Sequence, residues 1–272
     1  MDLLGSVQLF WPEIVLSIGI LLLLFIQMIR RAQRRGDQAD AFLVTLGILI
    51  VTLVFVRFQY PAVGLEGVKG LFGGMIANDP FAIFFKMLLI LSTIVVVGIT
   101  FTSRALCARR MGEYVVVMLA MLVGMMLMVS ATNLLMIFLS VELTGIASYI
   151  LAGYLRDEPR SNEAALKYVI YGAFSTGIML FGFSLLYGLT GTLDLYGLHT
   201  VFAAGGVDRL TIFVALLLVL AGIGYKIAFV PFHFWVPDVY EGAPIPVGAY
   251  LSIAPKAAGV ALFLRFLVTA FG

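Results

Sequence analysis

Stretches of about 20 mostly apolar residues recur along this chain, the length an α-helix needs to cross the roughly 30 Å hydrocarbon core of a bilayer. They lie at 8–29, 41–59, 80–102, 114–131, 132–154, 164–189, 211–240 and 247–271. Inside lipid every backbone polar group must be satisfied within the chain, so spans of this kind fold as helices. The pattern predicts an all-α polytopic membrane protein of about eight transmembrane helices, the seventh broken near Pro231, with Pro237 interrupting it again. Composition bears on the same choice. Of 272 residues, 62% are hydrophobic and 12% charged, against about 45–50% and roughly 25% in soluble domains. The mean hydropathy is +1.10.

Several function classes drop out. A net charge of +2, with no basic cluster interleaved with aromatics, gives no ground for a nucleic-acid partner. The lone Cys107 excludes an internal disulfide framework and any cysteine-based zinc or iron–sulfur site. His199 and His233 are the only histidines. We therefore expect no metal site or cofactor in this chain, and redox chemistry elsewhere. No nucleophile and base pair is discernible, which argues against a hydrolase.

The opening MDLLGSVQLFWPEIV lacks a basic region and runs into apolar sequence without a small-residue cleavage site, so we read a retained first span. Short loops rich in Lys and Arg face the cytoplasm. The first loop holds Arg30, Arg31, Arg34 and Arg35, the third Arg104, Arg109 and Arg110, and the fifth Arg156 and Arg160. The second has Arg57 and Lys69, the sixth only Arg209, and the fourth none. Odd loops are then cytoplasmic, Cys107 among them as an incidental thiol, and the N-terminus faces outward. Loop seven, with Asp238 and Glu241 and no base, breaks the rule, as expected of a loop folded into the protein. The second loop suggests a short external hairpin and the sixth a turn with a short amphipathic segment. The apolar ending TAFG suggests a fragment of something longer.

Charges inside the spans need a reason, because a bare ammonium at the bilayer centre costs about 2.5–3.5 kcal/mol on insertion scales. Glu142 sits near the middle of the fifth span. It is either a protonated group bonded to Ser140 or Thr144, or a titratable partner for a buried lysine. Lys226 follows Gly222 and Gly224 and precedes Pro231, whose ring frees the carbonyl of Ile227; a lysine beside such a break has a route to water, unless it snorkels. Lys256 follows Pro255, a second expected break that frees the carbonyl of Leu251. His233, seven residues after Lys226, would share its face on a continuous helix and relay protons near neutral pH; the alternative is a histidine bonding a loop carbonyl. Lys86, Glu13 and Lys167 lie near span ends, where charges reach headgroups easily, and are weaker candidates. A row of such groups in the membrane plane suits coupled proton movement.

At these residues the sequence resembles a known family. Lys226, four residues, then PFHFWVPDVYEGAPIP and LSIAPKAAG are similar to the antiporter-like membrane subunits of respiratory complex I, and more narrowly to the subunit N, or subunit 2, type. Glu142, SYILAGY at 148–154 and RSNEAALKY at 160–168 agree, and the likeness runs from NDPFAIFFK to the end. The resemblance implies a proton-translocating subunit without its own cofactor, with FMN, iron–sulfur clusters and quinone used by other subunits. It implies neighbouring antiporter-like and small membrane subunits and lipids as partners. The implied location is a bacterial cytoplasmic membrane or an organellar energy-converting one. Glu142, Lys226, Lys256 and His233 would carry protons, with breaks at Pro231 and Pro255. The family fold pairs two inverted five-helix repeats. Here residues 1–110 would form a three-helix segment and 111–272 one repeat, the second being absent. Other readings are a cation/proton antiporter or membrane hydrogenase subunit of the same family, a solute carrier, and a scaffold subunit that does not itself pump.

Overall fold

A computed structural model describes residues 3–33, 38–66, 69–103, 106 and 111–272. Arg34, Arg35, Arg104, Arg109, Arg110 and Cys107 lie outside the described residues, as do the side chains of Arg30, Arg31 and Lys69. The helices are α1 (Leu3–Leu9), α2 (Trp11–Gln33), α3 (Gln38–Glu66), α4 (Pro80–Thr102), α5 (Met111–Ser130), α6 (Leu134–Ala152), α7 (Pro159–Thr190), α8 (Leu195–Ala204), α9 (Arg209–Ile227), α10 (Val236–Gly242) and α11 (Ile245–Phe271). Eight of them (α2–α7, α9 and α11) are long and apolar enough to cross a membrane. Strands β1 (Lys69–Leu71) and β2 (Ile76–Asn78) form the hairpin of the second loop.

Local chemistry sets the helix ends. Asp79, Asn133, Asp194 and Asp208 each accept a backbone N–H from the first turn of α4, α6, α8 and α9, satisfying donors a helix start leaves open. At one end of the bundle the loops are knitted together. Thr132 donates to the carbonyls of Gly74 and Met75 and accepts from Leu195, and Leu134 donates to Leu193. The α5–α6 junction thereby clasps both the hairpin and the start of α8.

Two expectations about prolines need correction. The seventh span does not run to 240: α9 closes at Ile227, where Ala228 turns left-handed (φ 64°) and its N–H goes to Gly224 and Tyr225. A proline disfavours helix at the residue before it and cannot donate, so the helix ends ahead of Pro231. Pro237 starts α10 near its N-terminus instead of interrupting a span. Pro255, by contrast, breaks nothing, because α11 runs through it. It removes one donor only, and membrane helices tolerate that where neighbours enclose them; Leu251 and Pro255 are both buried.

Lipid gives helices little hydrophobic reason to associate, so close backbone approach and polar pairs hold the bundle. A Cβ on Gly222 of α9 would stand 2.5 Å from the Met179 Cβ of α7, and one on Gly182 2.8 Å from the Ala215 carbonyl oxygen. Glu13 and Lys86 do not reach headgroups as expected. Each is at most 2% exposed, and they pair at 2.6 Å between α2 and α4. Arg265 of α11, unremarked in the sequence, grips Asp79 with two bonds of 2.8 and 2.9 Å, donates to the Val129 carbonyl at 2.9 Å, and lies over the Phe81 ring. Removing one partner of a buried pair strands the other, at about 3–5 kcal/mol. Arg265→Gln is therefore expected to lower the denaturant unfolding midpoint of the purified protein strongly. Asp79→Leu combined with Arg265→Met should recover most of the loss; an unshifted midpoint in the single variant would rule out the clamp.

Candidate functional site

Lys226 occupies the last turn of α9 and is 5% exposed. The uncapped carbonyls of a helix C-terminus favour a cation there. The chain can fold back at this point because Gly224 has no Cβ: the Phe229 and Phe232 rings lie 2.7 and 2.8 Å from where one would stand. Hydrogen bonds from Thr211 to Asp208 fix the other end of α9 and hold the Asp208 carboxyl below its usual range.

Glu142 lies mid-way along α6 and is half-buried. Neither Ser140 nor Thr144 serves it, since each donates its hydroxyl to its own helix, at Ile137 and Ser140. Its charge acts on Lys226 and on Tyr149. Among the described residues no ion pair within 4.0 Å joins Glu142 to Lys226, so the two interact through space. Lys256, half-buried on α11, holds its ammonium 5.5 Å from the ring centroid of Tyr240 on α10. The Tyr240 hydroxyl is buried without a partner. Gly259 of α11 faces Ile227 at the end of α9, 2.9 Å separating its would-be Cβ from the Ile227 Cγ1.

His233 departs from the continuous-helix expectation. With α9 closed at Ile227 the shared face is lost, and His233 lies exposed in the turn, where its carbonyl accepts from Val236. The group that pins the break is instead Trp235, which the sequence reading passed over. It is 2% exposed, donates from Nε1 to the Tyr225 carbonyl at 3.1 Å, and stacks on Tyr168 at 4.5 Å and 13°. Tyr225 in turn donates to the Tyr168 carbonyl at 3.0 Å. The available signal was one of only two tryptophans, set between Pro231 and Pro237.

Loop seven is indeed folded onto the protein. Asp238 pairs with Lys167 at 3.2 Å, Lys167 also with Glu163 at 2.8 Å, and Glu241 with Arg160 at 3.5 Å. A Cβ on Gly242 would collide with the Arg160 carbonyl. The bases of loop five thus answer the acids of loop seven. Among the described residues no group of three or more His, Cys, Asp or Glu is placed to hold a metal ion.

This arrangement has counterparts. The family model described as NADH:quinone oxidoreductase/Mrp antiporter, transmembrane region, matches residues 131–272, which include Glu142, the break and Lys256. The chain belongs to this family. NADH-quinone oxidoreductase subunit N 2 of Chloroherpeton thalassium is 46% identical over 260 residues, covering 94% of this chain and 49% of that one. Subunit N of Chlorobium chlorochromatii is 46% identical over 268 residues, covering 98% and 51%. Respiratory complex I from Thermus thermophilus with bound aureothin contains a chain of the same fold. Its TM-score is 0.76 at 28% identity, over 93% of this chain and 52% of that one. The chain thus spans about half the length of the curated relatives it matches.

The family fold here depends on Trp235 holding the turn after α9. Trp235→Phe removes the indole bond and leaves the Tyr225 carbonyl only the N–H of Ala228, a net loss of about 0.5–1.5 kcal/mol. Amide hydrogen exchange across residues 225–236 is expected to accelerate in the variant. Unchanged exchange would show that the indole bond does not hold the break.

Proposed function

We propose that this chain works as part of a subunit-N-type membrane subunit of NADH:quinone oxidoreductase, moving protons through buried side chains while electrons are transferred in other subunits. The observation that carries the reading is Lys226: buried, in the last turn of α9 beside the break that follows it, and under the influence of Glu142 without a direct pair. The family and the names of its relatives support it.

Burial disfavours an isolated ammonium and a nearby carboxylate favours it. A change in the charge of Glu142 therefore switches Lys226 between keeping and releasing its proton. In this reading Lys256, beside the ring of Tyr240, and His233, exposed in the turn after α9, are further proton-carrying groups. We read α5, α6, α7, α9 and α11, within 111–272, as one antiporter-like repeat, and residues 1–110 as a separate three-helix segment. The site needs no cofactor in this chain; FMN, iron–sulfur clusters and quinone belong to partner subunits in this reading. The partners are neighbouring antiporter-like and small membrane subunits together with lipid. The membrane is an energy-converting one, the bacterial cytoplasmic membrane in the first instance, with the N-terminus outside.

The test is proton movement by the assembled complex in vesicles. Lys226→Ala and Glu142→Ala should each lower the protons moved per NADH oxidised, without blocking assembly. Lys226→Arg should not restore them, because a guanidinium does not release its proton at accessible pH. Wild-type translocation in an assembled Lys226→Ala complex would favour a scaffold and sink the reading.

A further inference from the structure

One helix face gathers polar side chains that the proposed site does not use. Along α4, Asp79 at the cap, Lys86, Thr93 and Thr100 follow one another every seven residues, a spacing that keeps them on one side of a helix. All four are buried, at 8%, 1%, 0% and 0% exposure. From Asp79 to Thr100 the rise is about 31 Å at about 1.5 Å per residue, close to the roughly 30 Å thickness of the hydrocarbon core.

Each position meets a group from another element. Arg265 of α11 holds Asp79, and Glu13 of α2 holds Lys86. The Thr93 hydroxyl lies 2.8 Å from that of Tyr250 on α11 and gives its own proton to the Leu89 carbonyl, so it accepts from Tyr250. Thr100 likewise donates to Val96 and faces the hydroxyl of Tyr114 on α5, which does not reach bonding geometry. Tyr114 and Tyr250 are close enough to interact electrostatically.

A second observation is independent of the spacing. Glu13 Oε2, both amide atoms of Asn78 and the Tyr114 hydroxyl are buried without a partner. Two of these meet the face directly, since Glu13 pairs with Lys86 and Tyr114 faces Thr100, while Asn78 closes β2 immediately before the Asp79 cap. An unmade bond of this kind is costly, and buried polar atoms in this condition take ordered water. Groups that only fasten helices together would be closed pairs, as Asp79 and Arg265 are.

We propose that this face of α4 lines a second, hydrated proton path across the membrane, with the Glu13–Lys86 pair as its proton-holding site. A proton reaching Glu13 Oε2 turns the carboxylate into a carboxylic acid beside an unchanged ammonium, so the pair goes from neutral to a single positive charge. Its departure toward Tyr250 restores the ion pair, and only O–H bonds of Glu13 and water are made and broken. The threonines and tyrosines supply lone pairs and hydroxyls along the way.

The proposal rests on the proton-moving reading above, and the test separates the two. Thr93→Val and Tyr114→Phe each delete one hydroxyl with little change of shape. In the assembled complex in vesicles they are expected to lower protons moved per NADH about twofold, as loss of one of two parallel polar routes implies. A merely structural role would shift the unfolding midpoint and not this ratio. Wild-type ratios in both variants, with the ratio lost in Lys226→Ala, overturn the α4 path and leave the first reading standing. Wild-type ratios in all three overturn both.

Discussion

A charge inside the membrane has no water to solvate it, and the protein must provide what the solvent does not. Every buried charge in this fold answers that demand, but in two ways. Arg265 and Asp79 meet in a closed, bidentate pair, with the third guanidinium bond going to a backbone carbonyl. Glu13 and Lys86 meet directly, yet one carboxylate oxygen is left over. Lys226 and Lys256 have no carboxylate within 4.0 Å among the described residues. One relies on a helix end and a distant Glu142, the other on a tyrosine ring. A closed pair is rigid and difficult to titrate. Groups held by a dipole, a ring or a charge at a distance have no fixed counter-ion, which is what the proposed proton movement requires.

The break in α9 follows from the same constraint applied to the backbone. A helix cannot stop at membrane depth unless its last carbonyls find donors. Here the left-handed Ala228 turns its own N–H back onto Gly224 and Tyr225, and Phe229 adds another bond to Gly224. Trp235 then reaches across the turn to the Tyr225 carbonyl. Gly224 makes room for the two phenylalanines that fold over the end. The polar end of α9 is thus covered by aromatic side chains, and Lys226 is buried beside it.

The spans were legible in the sequence because their signal is local: twenty apolar residues announce a helix whatever surrounds them. The hairpin after α3 and the short α8 were legible for a similar reason, through glycine and turn residues at fixed places. Partnerships across the bundle were not. Nothing near Lys86 in sequence points to Glu13, 73 positions away, and both looked like span-end charges free to reach water. Asp79, beside Pro80, drew no reading of its own, and nothing near it hints at the arginine 186 positions further on. For His233 the shared face with Lys226 was conditional on a continuous helix, and the turn after Ile227 removes that condition. The break itself was legible, but its start at Ala228 was not, since that depends on how a capped end folds back. The exception in loop seven could be read as folded inward from charge alone, while its partners Arg160 and Lys167 needed the fold.

One helix joins the two polar systems. α11 carries Tyr250 against Thr93 of α4, Lys256 against Tyr240 of α10, Gly259 against Ile227 at the end of α9, and Arg265 against Asp79. It is continuous through Pro255, so these four contacts sit on a single stiff rod. The Arg265 clamp anchors that rod at one end, and the broken segment rests against its middle. A movement of the turn after Ile227 would strain this contact, since a Cβ on Gly259 would stand only 2.9 Å from the Ile227 Cγ1. The missing proline donor next to Lys256 is the place along the rod where such strain is most easily taken up. The α4 face and the groups from Glu142 to Lys256 thus share α11 as a common support, although no hydrogen bond among the described residues links them.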